Sequence, residues 1–147
     1  MPKKIALADP VKEQLRLEFG YLCARRVKHL LEQPEVEECL RGLASYLSGA
    51  IGRSDFGLIA ADAIRLANSH QGSASIDGCG HAAVSATYAV AKAVEGKALE
   101  AASYAAYAAV YAQGGYAAVG DRQSFALEFK WQLRALESLA SRTASRA

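Results

Sequence analysis

Residues 81–113 read HAAVSATYAVAKAVEGKALEAASYAAYAAVYAQ, an alanine-rich run that contains no proline and only one glycine, Gly96. Alanine has the highest helix propensity and a side chain small enough to let helices approach closely. The run therefore predicts two helices packed against each other across a turn at Gly96. The first can be capped by Asp77 and extends to Val94, and the second runs from about Lys97 to Gln113. Gly114 and Gly115 are expected to end the second helix.

Helix-start signals and three- to four-residue apolar spacing predict four more helices in the rest of the chain. The start signals are Asp9 with Pro10, Pro34, Ser54 or Asp55, and Asp121. The first helix is expected to reach Leu31. In the last helix, the large apolar residues are expected to point inward or against neighbours: Phe125, Phe129, Trp131, Leu133, Leu136 and Leu139.

No segment alternates apolar and polar residues over the length of a strand, so no sheet is expected. The fold class is therefore all-α: a bundle of about six helices with an alanine-rich core. A chain of 147 residues is the usual size of one domain. We assign residues 9–140 to a single helical domain and residues 141–147 to a flexible tail.

Charge and cysteine content narrow the classes of partner and compartment. The formal net charge of +2 is too small to indicate a nucleic-acid partner. No apolar run suits a signal peptide or a membrane span, so a cytoplasmic protein with no membrane partner is expected. Three widely separated cysteines, Cys23, Cys39 and Cys79, predict buried free thiols in a reducing compartment.

The strong catalytic and nucleotide-binding motifs are absent, which argues against an enzyme without excluding one, and no cofactor is expected. The most suggestive polar cluster is Asp77, Cys79 and His81 at the start of a helix, with Tyr88 two turns further on. Its metal ligands are too few for a zinc site, so no metal is expected. The alternatives are a polar or ligand site, and a small-residue first turn with His81 hydrogen-bonded between helices.

Tyr104, Tyr107 and Tyr111 recur at positions i, i+3 and i+7, which places them on one face of a helix. Such a stripe is typical of a packed core seam whose hydroxyls reach polar groups at the rim. The alternative is a surface for a partner, because tyrosine is enriched at protein interfaces.

A set of residues in the second half of the chain resembles the Imm-5-like immunity proteins. The set comprises Gly80-His81-Ala82-Ala83-Val84, Tyr88, Ala105 to Ala112, Glu128, Trp131-Gln132 and Leu136, with a weaker match at Cys23-Ala24. The resemblance implies a helical bacterial protein that neutralises a cognate toxin by binding and without catalysis. It departs at Tyr88, where a second histidine would be expected, so no role that needs two imidazoles is carried over.

Three hypotheses on function therefore stand. The first is an immunity protein whose partner is a protein toxin. The second is a small helical ligand-binding protein or enzyme that uses a crevice near Asp77, His81 and Tyr88. The third is a structural homo-oligomer formed through the alanine and tyrosine faces of the two alanine-rich helices.

Overall fold

All regular structure in the computed structural model, which describes residues 9–69, 79–119 and 122–146, is helical. The elements are α1 (Asp9–Arg26), a 3₁₀ turn (Lys28–Leu30), α2 (Pro34–Leu47), α3 (Arg53–Ser69), α4 (Cys79–Val94), α5 (Ala98–Val119) and α6 (Arg122–Arg146). The all-α prediction with about six helices is confirmed for this part of the chain.

Helices α4 and α5 form the hairpin predicted from the alanine-rich run. Gly96 in the connection adopts a φ of 78°, a left-handed conformation that glycine reaches without steric cost. Helix α4 is the central element, because α1, α2, α3 and α5 all pack against it. Alanines form most of its buried surface, and Thr87, which is also buried, donates its hydroxyl hydrogen to the carbonyl oxygen of Ala83 at 2.9 Å.

Helix α1 crosses the α4–α5 hairpin at short range, because glycine and alanine meet at the contact. A Cβ added at Gly20 would lie 3.2 Å from the Cα of Ala93 and 3.3 Å from its Cβ. Leu17, Cys23 and Val27 of the same helix region are buried in the shared core. Helix α6 packs on the outside of this layer, against α1 and α5.

Helices α2 and α3 form a second hairpin, and both of its helices pack on α4. Gly49 begins the connection with a φ of 83°. The rings of Tyr46 and Phe56 stack with their centroids 4.3 Å apart and close the end of this hairpin. Arg65 pairs with Asp62, three residues before it in α3, at 3.0 Å on the exposed face.

Three helix boundaries differ from the sequence prediction. Helix α1 ends at Arg26, and the chain tightens into the 3₁₀ turn before the extended residue that Pro34 imposes at Gln33. Helix α5 continues through Gly114 and Gly115 to Val119, since glycine weakens a helix without forbidding it. Helix α6 continues to Arg146, through most of the expected flexible tail, which contains no glycine or proline.

Among the described residues, no helix combines the length and apolar character needed to cross a membrane.

Candidate functional site

The predicted polar cluster at the start of α4 is only partly covered by the structure. Asp77 lies outside the described residues, and Cys79 and His81 belong to the first turn of α4 with side chains that are not described. Tyr88 is the one member that can be located. Its ring stacks on Tyr104 at 5.3 Å, and its hydroxyl lies 3.5 Å from Oδ1 of Asn68. The convergence of the four residues therefore stays a prediction.

A buried ion pair joins the end of α1 to α6. Arg26 donates hydrogen bonds from Nε and Nη2 to the two carboxylate oxygens of Glu128, at 2.8 and 3.1 Å. Glu128 is only 4% exposed, whereas the Arg26 side chain is 37% exposed. The hydrogen bond to Glu128 raises the pKa of Arg26 above its ordinary value. The guanidinium also lies over the ring of Trp131, 4.4 Å from its centroid.

A second polar contact fixes the next turn of α6 against α5. The buried amide of Gln132 donates from Nε2 to the carbonyl oxygen of Ala102 at 2.8 Å. Together with the Arg26–Glu128 pair, this bond determines which face of α6 is turned inward. We call the group of Arg26, Glu128, Trp131 and Gln132 the polar clamp.

Cys23 lies beside the polar clamp and has no exposed surface. Burial raises the pKa of its thiol to about 12, Arg26 opposes this shift and Glu128 adds to it. The thiol is therefore protonated near neutral pH and is a poor nucleophile. Because the Glu128 carboxylate is also occupied by Arg26, the arrangement suits a fixed structural connection better than proton transfer or covalent chemistry.

Sequence reasoning singled out most of the polar clamp but missed its arrangement. Glu128, Trp131 and Gln132 carried the family resemblance, and Cys23 its weaker match, but nothing in the sequence indicated that they meet. Arg26 was missed. The available signal was Glu128 itself, the only acidic residue between positions 123 and 136, which would need a cation if buried.

The inward position of Glu128 and Gln132 leaves large apolar residues of α6 on the outside. Phe129 is 51% exposed and Leu133 is 56% exposed, so the expectation of an inward position is wrong for both. The alternative, contact with a neighbouring side chain, holds for Phe129, whose ring stacks on that of Phe125. The physical reason is that, among the described residues, the helices that pack on α6 are chiefly α1 and α5. The covered strip of α6 holds its buried or half-buried side chains: Glu128, Trp131, Gln132, Ala135, Leu136 and Leu139.

Aromatic rings from α5 and α6 form a continuous row at the surface. The ring centroid of Tyr107 lies 5.1 Å from that of Tyr111 and 5.6 Å from that of Phe125. The ring centroids of Phe125 and Phe129 are 5.8 Å apart. Tyr107 is 41% exposed. We call these four residues the aromatic face. Tyr104 instead packs on Tyr88 and is half-buried, so the predicted tyrosine stripe combines a packed seam with an exposed ring.

An open depression of about 560 Å³ borders the aromatic face on the α4–α5 side. Tyr107 and Tyr104 line it together with Ser103 and the Lys92–Glu100 ion pair, whose charged atoms are 3.6 Å apart. It extends the accessible surface of α5 beyond the four rings. Because Lys92 and Glu100 neutralise each other, this ion pair gives the depression no net charge.

Within the described ranges, no group of three His, Cys, Asp or Glu residues is placed to hold a metal ion. Searches of protein-family models, of curated proteins and of solved structures find no match to this chain.

Proposed function

We propose that this chain is an immunity-type protein of the bacterial cytoplasm, which neutralises a protein toxin by binding it and covering the surface that the toxin needs. The observation that carries the proposal is the aromatic face, with Tyr107 and Phe129 each more than two-fifths exposed on a helical surface. Exposed aromatic rings in contact with one another are typical of protein-binding sites.

The hydrogen bonds that hold α6 against its neighbours support the same proposal. The polar clamp connects α6 to α1 and α5 through three side-chain hydrogen bonds, two from Arg26 and one from Gln132. A face held in place before binding loses little conformational entropy when a partner docks. Occlusion by such a preformed face requires no catalytic group, which agrees with the resemblance to immunity proteins.

The test is growth rescue combined with co-purification. Each gene adjacent to the one for this chain is expressed in a sensitive host, with and without the chain, and any toxic product is tested for a complex. We expect one product to be toxic, to be neutralised and to co-purify with the chain. If no neighbouring product is toxic, or if rescue occurs without a complex, the proposal is wrong.

A pair of variants assigns the interface. Phe129→Ala with Leu133→Ala removes exposed apolar side chains of α6, and Leu58→Ala removes an exposed leucine of α3 as a matched control. The double variant is expected to lose rescue and to weaken the complex by about tenfold or more, while the control retains both. Equal growth rescue by the double variant and the Leu58→Ala control would mean that the interface does not include Phe129 and Leu133.

A further inference from the structure

Between residues 123 and 136, the exposed charges of α6 are both positive, whereas the Lys92–Glu100 pair that borders the aromatic face on the α4–α5 side is neutral as a pair. Residues 101–119 of α5 contain no charged side chain, and residues 123–136 of α6 contain only Glu128, Lys130 and Arg134. Glu128 is buried and neutralised by Arg26. Lys130 and Arg134 are exposed, and within residues 9–69, 79–119 and 122–146 neither forms an ion pair, although Glu137 follows one turn after Arg134.

These two cations lie at the edge of the exposed apolar side chains. Lys130 and Arg134 are four residues apart and therefore share one side of α6. They directly follow Phe129 and Leu133, and Leu127, which is 74% exposed, lies one turn before Lys130 on their own side. The outer surface of α6 thus combines a strip of large apolar residues with a strip of unpaired cations.

We infer that the aromatic face binds an apolar patch of a protein partner that is bordered by Asp or Glu side chains, with the carboxylates meeting Lys130 and Arg134. This inference rests on the proposed function and specifies the chemistry of the partner. Docking removes the apolar rings from water, while the carboxylates pair with cations that form no ion pair with any of the described residues. Complementary charge at the rim selects the partner and accelerates its association.

The observations favour an acidic protein over other polyanions. Membrane recognition by basic segments generally uses about four to eight Lys or Arg residues, and this surface offers two. A nucleic acid would be expected to meet an extended basic surface, which a net charge of +2 spread along the chain does not provide. The exposed row of packed rings also suits an apolar protein patch.

The test uses peptide selection, so that it does not depend on a known toxin. A displayed library of amphipathic helical peptides keeps an apolar face and varies its flanking positions among Asp, Glu, Lys, Arg and Ser. It is selected on the wild-type chain, on Lys130→Glu with Arg134→Glu, and on Lys12→Glu with Lys28→Glu. The last variant makes the same change in net charge outside the aromatic face.

We expect peptides selected on the wild-type chain to carry Asp or Glu at the flanking positions. They should bind the α6 variant at least about tenfold more weakly, bind the control variant as they bind the wild type, and lose affinity as salt is added. Peptides selected on the α6 variant should carry Lys or Arg instead. The inference would be overturned if the wild-type chain and the α6 variant selected peptides with the same flanking charges, or if the wild-type chain retained no peptide.

Vesicle cosedimentation and growth rescue distinguish a membrane partner, a wrong partner chemistry and a wrong proposed function from one another. Cosedimentation with phosphatidylcholine–phosphatidylserine vesicles (about 7:3) that depends on Lys130 and Arg134 would indicate a membrane and overturn the inference. Growth rescue by the α6 variant equal to that by wild type would leave the proposed function standing and overturn the partner chemistry. Acidic peptide selection without any toxic neighbour would leave the partner chemistry standing and overturn the proposed function.

Discussion

Among the carboxylates whose burial the structure describes, that of Glu128 is the most buried, since it is 4% exposed and accepts two hydrogen bonds from Arg26. Glu128→Gln keeps its shape and removes its charge, leaving the cation of Arg26 without its counter-ion. We expect a loss of about 1–3 kcal/mol in the free energy of unfolding, below the cost of a fully buried pair because Arg26 is partly exposed. Urea denaturation of the variant and of the wild-type chain measures this loss.

The exposed Asp62–Arg65 pair provides a matched control for this change. Its charged atoms also lie 3.0 Å apart, but both side chains are mostly exposed. Asp62→Asn is therefore expected to alter the free energy of unfolding by less than about 0.5 kcal/mol. Similar losses in the two variants would show that burial adds nothing to the Arg26–Glu128 pair.

Cys23 gives a stability effect with a definite direction in alkaline solution. Its pKa is about 12 in the folded chain, against an ordinary value of 9.0. Between these values the unfolded chain loses the thiol proton and the folded chain keeps it, so the free energy of unfolding falls as pH rises from about 9 towards 12. Cys23→Ala should show a smaller fall over that range in urea titrations. Identical pH profiles would contradict a buried protonated thiol.

At the scale of the helix, two glycines with different surroundings separate packing from helix propensity. A Cβ at Gly20 of α1 would press on the backbone of Ala93, whereas a Cβ at Gly57 of α3 would meet nothing within 4 Å. Gly20→Ala should therefore destabilise the fold by about 1–3 kcal/mol through overpacking. Gly57→Ala should stabilise it by about 0.5–1 kcal/mol, because alanine favours the helix.

Thermal unfolding of both glycine variants measures these opposite effects. The wild-type chain serves as the reference, and circular dichroism at low temperature verifies that each variant keeps its helix content. A Gly20→Ala variant as stable as Gly57→Ala would mean that α1 does not approach α4 as closely as described.

Local signals in the sequence located helices well but could not assign the outward face of α6. Pro34 begins α2, and Gly96 separates α4 from α5 as expected. Apolar spacing predicted that Phe129 and Leu133 point inward or against neighbours, because it cannot register that, among the described residues, α6 packs chiefly on α1 and α5. The inward position of Glu128 depends on Arg26, which is 102 residues away in the chain and so lies beyond any local pattern.

At the scale of the whole molecule, local sequence patterns likewise could not show which residues of the candidate site are exposed. The tyrosine stripe of α5 was visible as a pattern, but only its packing distinguishes Tyr104, which lies on Tyr88, from the exposed Tyr107. The continuation from Tyr107 to Phe125 joins two helices and follows from their docking. A sequence can therefore nominate the residues of this face, whereas the tertiary contacts decide which of them are accessible to a partner.

Local stability should follow the position of each helix in the bundle, with α4 the most protected. Four other helices pack on α4, whereas α6 packs on α1 and α5 and leaves Phe129 and Leu133 exposed. Amide hydrogens of residues 83–94 should therefore exchange only on global unfolding, while those of residues 126–140 exchange through local opening of α6. Hydrogen exchange followed by mass spectrometry measures both.

A substitution in the polar clamp should change the protection of α6 from hydrogen exchange relative to that of α4. Because Glu128 joins α6 to α1, Glu128→Gln should accelerate exchange in α6 and in the last turn of α1 more than the change in global stability accounts for, with α4 following the global change alone. Asp62→Asn should leave the exchange of α6 unaltered. Equal protection of α4 and α6 in the wild-type chain would instead mean that the bundle opens as one unit, so that the aromatic face is as stable as the core beneath it.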